Sequence, residues 1–306
     1  MKWPLVERPT PNAQVPLYNR FYLHASSASQ ADPLLVWGTE IDADALQTFL
    51  QERNRGGRIL VTAAHALIRA TALALEQHPE LNVRLVRRRI YAFRNVNIRM
   101  AFFHRRYSEI DLLLIEDANL KSLERIALEI WQRMLQAARG EGGRDRDLAR
   151  LRRLPAFWFR QIVRLYGFLD RNLKLPTFGR LDGTRRGCMM VNDLSFPGAP
   201  PMRMYKPTHF PDKSDSFNLT LGPIEKKVVT RSGQFVSATV MPLFLRADHR
   251  LVDAQQVGRF LAAVRDHLSN PERLAGGYYE SSDIDRAIVQ KLKYDPHWHY
   301  RIGMVG

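Results

Sequence analysis

The chain has 306 residues, of which 45% are hydrophobic and 25% are charged, so it can build a packed core and is not a wholly disordered protein. Its 46 Lys and Arg residues exceed its 31 Asp and Glu residues, which gives a net charge of +15. This imbalance predicts attraction to an anionic partner, which the charge alone leaves open as phosphate groups, a membrane surface or nucleic acid.

The single cysteine, Cys188, excludes an intramolecular disulfide framework and a multi-cysteine metal cage, and it fits a reducing compartment. The N-terminus shows no secretory signal, and no run of about 20 apolar residues predicts a transmembrane helix. We therefore expect a cytoplasmic protein, with attachment to a membrane surface as the variant of that expectation.

The first half of the chain alternates helices and strands. Residues 1–32, rich in Pro, Ser and Asn, are expected to form a loosely built N-terminal arm. The apolar pattern then predicts, in order, a strand at 33–42, a helix at 43–54, a buried helix at 59–78, strands at 96–102 and 111–115, and a long helix that Ser122 caps.

An insertion at about 139–187 interrupts this rhythm with a glycine-rich loop, an Arg-dense stretch and an amphipathic helix at 155–173. Its apolar face is expected to hold Trp158, Phe159, Ile162, Leu165, Tyr166, Leu169 and Leu173, opposite a cationic stripe of Arg160, Arg164 and Arg171. Packing in the core or on a neighbouring subunit is the simpler interpretation, and an interfacial membrane helix is the alternative.

The second half of the chain is predicted to form mostly strands. The pattern predicts strands at 189–192 and 217–221, a hairpin of 227–230 with 234–240, a strand at 243–247, a helix at 257–268 and a further helix at 284–293. Because the strands mainly alternate between polar and apolar residues, we expect an α/β sandwich on a mixed, largely antiparallel sheet.

His249 is the residue best placed for chemistry. It follows a predicted strand, precedes a helix and lies four positions before Asp253. Strand ends present reactive groups to clefts, and an imidazole accepts a proton from a thiol or hydroxyl near neutral pH. The spacing alone is weak, since the chain has nine histidines.

The surroundings of His249 are more specific. Residues 244–253 (FLRADHRLVD), followed by QVGRFL at 256–261 and NPERL at 270–274, resemble the catalytic domain of the dihydrolipoamide acyltransferase subunits of 2-oxo-acid dehydrogenase complexes, in the chloramphenicol acetyltransferase-like superfamily. Further upstream, segments in the family's order carry the resemblance: 74–82 (ALEQHPELN), 96–98 (VNI), 116–123 (EDANLKSL) and 217–222 (FNLTLG).

The resemblance implies a two-layer sandwich spanning residues 33–275, followed by a C-terminal extension at 276–306. It implies a homotrimer, or a multiple of trimers, with the site in a channel between subunits and with coenzyme A as the cosubstrate. His249 would be the general base that deprotonates the attacking thiol or hydroxyl. Asp253 would orient the active-site loop through an ionic contact.

Three departures from the family pattern qualify this expectation. Aligning MVNDLS at 190–195 with the family's hydroxyl-bearing strand puts Asn192 where a serine stabilises the oxyanion, and an amide N–H donor would take over that role. Ala254 replaces the glycine that usually follows the aspartate. Residues 1–32 are too few for a lipoyl domain, so we expect a free-standing acyltransferase without covalently bound lipoate.

The alternative is a catalytically silent trimeric scaffold or membrane-surface adaptor of the same fold. The basic runs at 84–89, 104–106, 144–153 and 185–186 are interpreted as solvated faces, one of which would meet the phosphates of coenzyme A. Nucleic acid is not expected as a partner, because no binding signature accompanies them. The pair His297 and His299 lacks a third ligand, so no metal is expected, and coenzyme A-binding residues stay unassigned.

Overall fold

A computed structural model describes residues 6–9, 34–56, 59–86, 89–104, 109–139, 187–195 and 216–277, with positions 155, 157, 158, 161, 165 and 168. Within these ranges the strands are β1 (Val6–Pro9), β2 (Leu34–Asp42), β3 (Val83–Val86), β4 (Arg89–Phe93), β5 (Ile98–His104), β6 (Glu109–Ile115), β7 (Met189–Asp193), β8 (Phe217–Leu221), β9 (Glu225–Arg231) and β10 (Gln234–Asp248). The helices are α1 (Asp44–Gly56), α2 (Ala63–Gln77), α3 (Leu123–Arg139) and α4 (Ala254–Ser269), with 3-10 turns at Pro79–Leu81 and Pro271–Leu274.

The main sheet has seven strands in the order β2-β10-β8-β7-β5-β6, with β9 pairing the first half of β10. Only the β5–β7 and β7–β8 pairs are parallel, and the other pairs are antiparallel. The predicted α/β class with a mixed, largely antiparallel sheet is confirmed. A second, three-stranded sheet has the order β1-β4-β3, so the predicted N-terminal arm contributes a strand.

Local sequence explains where the helices begin and end. At the start of α2, the backbone N–H of Thr62 donates to Nδ1 of His65 at 3.0 Å, and Pro79 follows soon after the helix ends. The predicted cap of α3 is confirmed, since Oγ of Ser122 accepts from the backbone N–H of Arg125 at 3.2 Å.

The two faces of the main sheet differ in character. One face belongs to the hydrophobic core with the four helices, and its strand residues include Met100, Val191, Leu219, Leu221, Leu243 and Leu245. Because side chains alternate along a strand, the residues between them point to the opposite face. There the buried residues are largely polar: Asn192, Asn218, Thr220 and Arg246.

Two expectations about the strands were wrong. The hairpin strand at 234–240 and the strand at 243–247 are one continuous strand, β10, because Pro242 lies where the partner changes from β9 to β8 and its missing N–H breaks no ladder bond. The second concerns the basic run at 84–89, where the expectation of a solvated face is wrong for Arg84. Arg84 is buried in β3, with its guanidinium 6.0 Å from the centre of the Phe93 ring in β4.

Candidate active site

His249 lies in the turn that follows β10, and its side chain is partly exposed. Its Nδ1 is 2.8 Å from the backbone carbonyl oxygen of Val252. A carbonyl oxygen only accepts hydrogen bonds, so Nδ1 carries the proton and the neutral imidazole has its basic lone pair on Nε2. The turn therefore selects the tautomer in which Nε2 can act as a base.

The residues on either side of His249 anchor the turn. The guanidinium of Arg250 binds the carboxylate of Asp248 in a bidentate manner, with Nε–Oδ1 and Nη2–Oδ2 distances of 2.9 and 2.6 Å. The backbone N–H of Arg250 also donates to this carboxylate, and the backbone N–H of Asp248 donates to the carbonyl of Ser216. The turn is thus hydrogen-bonded to the residue that precedes β8, and the ion pair joins the two residues that flank His249.

Asp253 is the N-cap of α4. Its Oδ1 accepts from the backbone N–H of Gln256 at 2.7 Å, and the side chain of Gln256 accepts from the backbone N–H of Asp253 at 3.0 Å. This reciprocal capping box fixes where the helix begins after the His249 turn. The contact seen for Asp253 is a cap, and the predicted ionic role in orienting the loop stays a prediction.

Asn192 belongs to a buried cluster of three polar side chains, which we term the amide cluster: Asn192, Asn218 and Thr220. Parallel pairing of β7 with β8 places Asn192 opposite Thr220 and Met190 opposite Asn218. The Nδ2 of Asn192 is 2.7 Å from Oδ1 of Asn218 and 3.3 Å from Oγ1 of Thr220. The hydroxyl of Thr220 donates to the same Oδ1 of Asn218 at 3.2 Å.

Asn218 and Thr220 were not singled out from the sequence. The segment 217–222 was recognised as part of the family resemblance, and alternation predicts which of its residues share a face. Their contact with Asn192, however, depends on how two segments far apart in the chain pair. The oxyanion role predicted for Asn192 stays a prediction, and within the cluster its amide N–H groups are already engaged.

His249 and the amide cluster are well separated within one chain. Asn192 pairs with Thr220, and Thr220 pairs with Phe244 in β10. His249 is five residues beyond Phe244, which corresponds to about 16 Å at roughly 3.3 Å per residue. Asn218 is nearer, because it pairs with Arg246, three residues or about 10 Å before His249. Groups that act on one reacting carbon must lie within about 3 Å of it or its substituents, so the strand register alone does not bring His249 and the amide cluster together in one chain.

Other predicted features are located as follows. Cys188 is fully buried, as expected for a small apolar residue. In the described ranges, no group of His, Cys, Asp or Glu is arranged to hold a metal ion. No helix among the described residues is long and apolar enough to cross a membrane. The basic runs at 144–153 and 185–186 and the pair His297 and His299 lie outside the described residues.

The sequence matches a family model described as 2-oxoacid dehydrogenases acyltransferase (catalytic domain) over residues 23–148 and 215–275. The match includes His249 and Asp253. It omits residues 149–214, which contain β7 with Asn192 and most of the predicted insertion. The match begins within the predicted arm at 1–32, whose boundary stays a prediction.

One curated relative is component 3 of the dihydrolipoyllysine-residue acetyltransferase of the mitochondrial pyruvate dehydrogenase complex of Arabidopsis thaliana. It is 25% identical over 226 residues, which are 73% of this chain. The chain spans only 34% of the length of that relative.

Two solved structures share the fold. A probable dihydrolipoamide acetyltransferase from Listeria monocytogenes superposes with a TM-score of 0.58 at 21% identity, covering 90% of this chain and 97% of that one. The dihydrolipoamide acetyltransferase of Azotobacter vinelandii gives 0.59 at 16% identity, covering 88% and 98%. The resemblance carried by residues 244–253 is confirmed: the chain belongs to the family of 2-oxoacid dehydrogenase acyltransferase catalytic domains.

Proposed function

We propose that this protein is a coenzyme A-dependent acyltransferase that moves an acyl group between a coenzyme A thioester and the thiol or hydroxyl of an acceptor. The observation that carries the proposal is the hydrogen bond from Nδ1 of His249 to the carbonyl of Val252, which puts the basic lone pair on Nε2. Family membership supplies the reaction class, and the anchored turn supplies a base held in one orientation.

In the proposed reaction His249 carries the one proton that moves from the acceptor to coenzyme A. Nε2 of His249 removes the proton from the acceptor thiol or hydroxyl while its sulfur or oxygen attacks the thioester carbonyl carbon. A tetrahedral oxyanion forms and needs a hydrogen-bond donor for stabilisation. When the intermediate collapses, the carbon–sulfur bond to coenzyme A breaks, and the imidazolium returns the proton to the departing thiolate. The products are the acylated acceptor and free coenzyme A.

We place this site between two chains. The oxyanion donor would come from the amide cluster of one subunit and the base from His249 of its neighbour. Support comes from the separation along the strand direction within one chain, about 10 Å from His249 to the position of Asn218 and about 16 Å to that of Thr220, at roughly 3.3 Å per residue. A closed trimer provides three equivalent sites of this kind. Light scattering of the purified protein tests the assembly, and a monomer with full activity would contradict the shared site.

The Azotobacter vinelandii protein supports the assignment of roles. Crystallographic and enzymatic work on that protein concerns the role of a serine, a histidine and an asparagine in its catalytic mechanism, and that histidine and asparagine are four positions apart. His249 and Asp253 have the same spacing in this chain. In this chain the residue four positions after the histidine is an aspartate.

His249→Ala tests the function, with His78→Ala as the matched control. His78 lies at the C-terminal end of α2 and takes no part in the proposed reaction. The assay is a panel of acyl coenzyme A thioesters with mass-spectrometric detection of products, since the acyl group and its acceptor are unassigned. We expect His249→Ala to abolish turnover while His78→Ala retains it. Acyl coenzyme A should raise the melting temperature of all three proteins, because it binds the native state.

A folded His249→Ala variant that turns over like the wild type would refute the base role. A wild type that binds acyl coenzyme A but turns over no thioester of the panel would instead favour the silent scaffold. One observation favours this alternative: the amide nitrogen of Asn192 is already hydrogen-bonded to Asn218 and Thr220 within the amide cluster.

A further inference from the structure

The amide cluster has a fixed number of hydrogen-bond donors. The amide nitrogen of Asn192 has two hydrogens, and its two contacts, to Oδ1 of Asn218 and to Oγ1 of Thr220, use both. The hydroxyl of Thr220 has one hydrogen, and its contact with Oδ1 of Asn218 uses it. Asn192 and Thr220 therefore have no donor left for a substrate in this arrangement.

Asn218 is in the opposite situation. Its Oδ1 accepts both bonds, so its amide nitrogen points away from Asn192 and Thr220. Among the described residues Nδ2 of Asn218 has no hydrogen-bond partner, yet it is not one of the fully buried atoms that lack one. This nitrogen therefore borders accessible space, although the side chain as a whole is buried.

We propose that Asn218 is the oxyanion donor of the acyl transfer and that Asn192 and Thr220 are its positioning residues. The inference rests on the proposed function. The resemblance aligns Asn192 with the family's oxyanion-stabilising serine, and an amide N–H on the adjacent strand takes over that role. Because two hydrogen bonds hold Oδ1, the N–H groups of Asn218 are oriented before substrate binds, as an oxyanion donor requires.

Asn218→Leu removes the donor at similar side-chain volume. We expect kcat to fall about 100- to 1,000-fold with little change in KM, the loss typical of one oxyanion-hole donor. Asn82→Leu is the matched control, because Asn82 is also a buried asparagine, whose amide donates to the carbonyl of Asn95. It should lower stability without lowering kcat of the folded protein.

Three further variants make the assignment specific. Asn218→Asp keeps the two acceptor contacts and removes the donors, so it should lose kcat as strongly as Asn218→Leu while staying folded. Adding Asn192→Ser to Asn218→Leu should restore kcat at least tenfold relative to Asn218→Leu, because a serine hydroxyl again faces the oxyanion. Thr220→Val should lose less kcat than Asn218→Leu, and Thr220→Ser should recover the loss.

The outcomes separate this inference from the proposed function. If His249→Ala is inactive but Asn218→Leu and Asn218→Asp keep kcat within threefold of the wild type, Asn218 is not the donor and acyl transfer stands. If His249→Ala is as active as the wild type, the proposed function fails and the assignment of Asn218 fails with it.

A second observation concerns the segment outside the family match. Four large apolar side chains in it are solvent-exposed: Phe157, Trp158, Leu165 and Phe168, at 55%, 58%, 56% and 49%. These positions are helical, and their spacing places them within one face of a helix. Packing in the core of the same chain is wrong for Trp158 and Leu165, and packing on a neighbouring subunit stays a prediction. The other apolar positions predicted for this helix lie outside the described residues.

The same segment carries most of the excess charge. Residues 149–214 contain thirteen Lys and Arg against four Asp and Glu, which is more than half of the net charge of +15. Exposed apolar helical residues in a strongly cationic segment are the composition of helices that lie in the interface of anionic membranes. A partner surface that complements it must be both apolar and negatively charged.

We infer that this helical face docks on an anionic lipid surface. Co-sedimentation of the full chain with vesicles containing phosphatidylglycerol, against vesicles of phosphatidylcholine alone, tests the inference. The variant Trp158→Ser/Leu165→Ser/Phe168→Ser removes three of the four exposed apolar side chains. Its matched control is Val228→Ser/Phe235→Ser, which removes two side chains that are 73% and 83% exposed on the β9–β10 hairpin.

We expect the wild type and the hairpin variant to bind the anionic vesicles, more weakly at high salt, and the triple variant to bind at least tenfold less. Equal binding by the triple variant would overturn the inference, as would a wild type that does not bind. If the wild type does not bind vesicles and the triple variant has a lower oligomer mass than the wild type, the apolar face packs on a second copy of this chain and not on lipid.

Discussion

Asp248 and Arg250 form a bidentate ion pair around His249, with both side chains almost fully buried (11% and 6% exposed). The two residues flank the proposed base in the chain, so their pairing closes the turn that presents it. A buried charge pair adds little net stability over an apolar pair, but it defines the geometry of the backbone between its members. Its contribution to this protein is therefore the orientation of the imidazole.

Breaking this ion pair should be costly. Arg250→Met leaves the Asp248 carboxylate buried without its cation, and we expect the free energy of unfolding to fall by about 3–5 kcal/mol, together with kcat. The double variant Asp248→Leu/Arg250→Met should be more stable than Arg250→Met, because no charge is left unpaired. Urea unfolding and steady-state kinetics provide the measurements. Equal stability of the single and double variants would contradict this account.

Asp253 has a structural role that can be separated from a chemical one. Asp253→Ala removes the N-cap of α4 and should lower the free energy of unfolding by about 1 kcal/mol, whereas Asp253→Asn keeps a capping oxygen and should cost much less. Kinetics of the asparagine variant then report on the carboxylate charge alone. A kcat equal to that of the wild type would argue against the predicted ionic role in the loop.

Two glycines should respond to alanine in opposite directions. A Cβ at Gly187 would lie 1.6 Å from the backbone oxygen of Asn97, so β7 would have to move away from β5, and Gly187→Ala should destabilise the protein by about 3 kcal/mol or more. At Gly258, within α4, a Cβ meets nothing within 4 Å. Gly258→Ala should stabilise by about 0.5–1 kcal/mol. Thermal unfolding of both variants tests this. A Gly187→Ala variant as stable as the wild type, or a Gly258→Ala variant less stable than the wild type, would contradict the prediction.

The link between the β9–β10 hairpin and α1 should be sensitive to acid. The hydrogen bond from Thr239 and the neighbouring Arg231 guanidinium lower the pKa of Asp44 from 3.8 to about 2. Because the folded pKa lies below the unfolded one, the stabilisation is fully present above pH 3.8 and is lost as the pH falls through about 2. The stability difference between wild type and Asp44→Asn should shrink over this window. A constant difference in unfolding experiments down to pH 2 would contradict the role of the carboxylate.

Much of the fold could be predicted because it is locally encoded. The strand Phe217–Leu221 agrees residue for residue with its apolar run, and α2 agrees with its helical period to within a few residues. The predictions were wrong where contacts with residues distant in sequence, and not the local apolar pattern, determine the structure. The break expected between 240 and 243 does not occur, because Pro242 lies between two successive partners of β10. Arg84 predicts a solvated face, yet the Phe93 ring covers its guanidinium.

The same division applies to the candidate site. The proposed base can be predicted from local sequence, since His249, its charged neighbours and the cap at Asp253 lie within a few consecutive residues whose contacts are mostly local. Which amide faces accessible space, in contrast, follows from the way the strands pair in the folded chain. That choice depends on the parallel pairing of β7 with β8, and a shift of one residue would turn Asn192 to the other face of the sheet. Backbone hydrogen bonds between segments distant in sequence set this register, so no local pattern could reveal that Asn218 is held by Asn192 and Thr220.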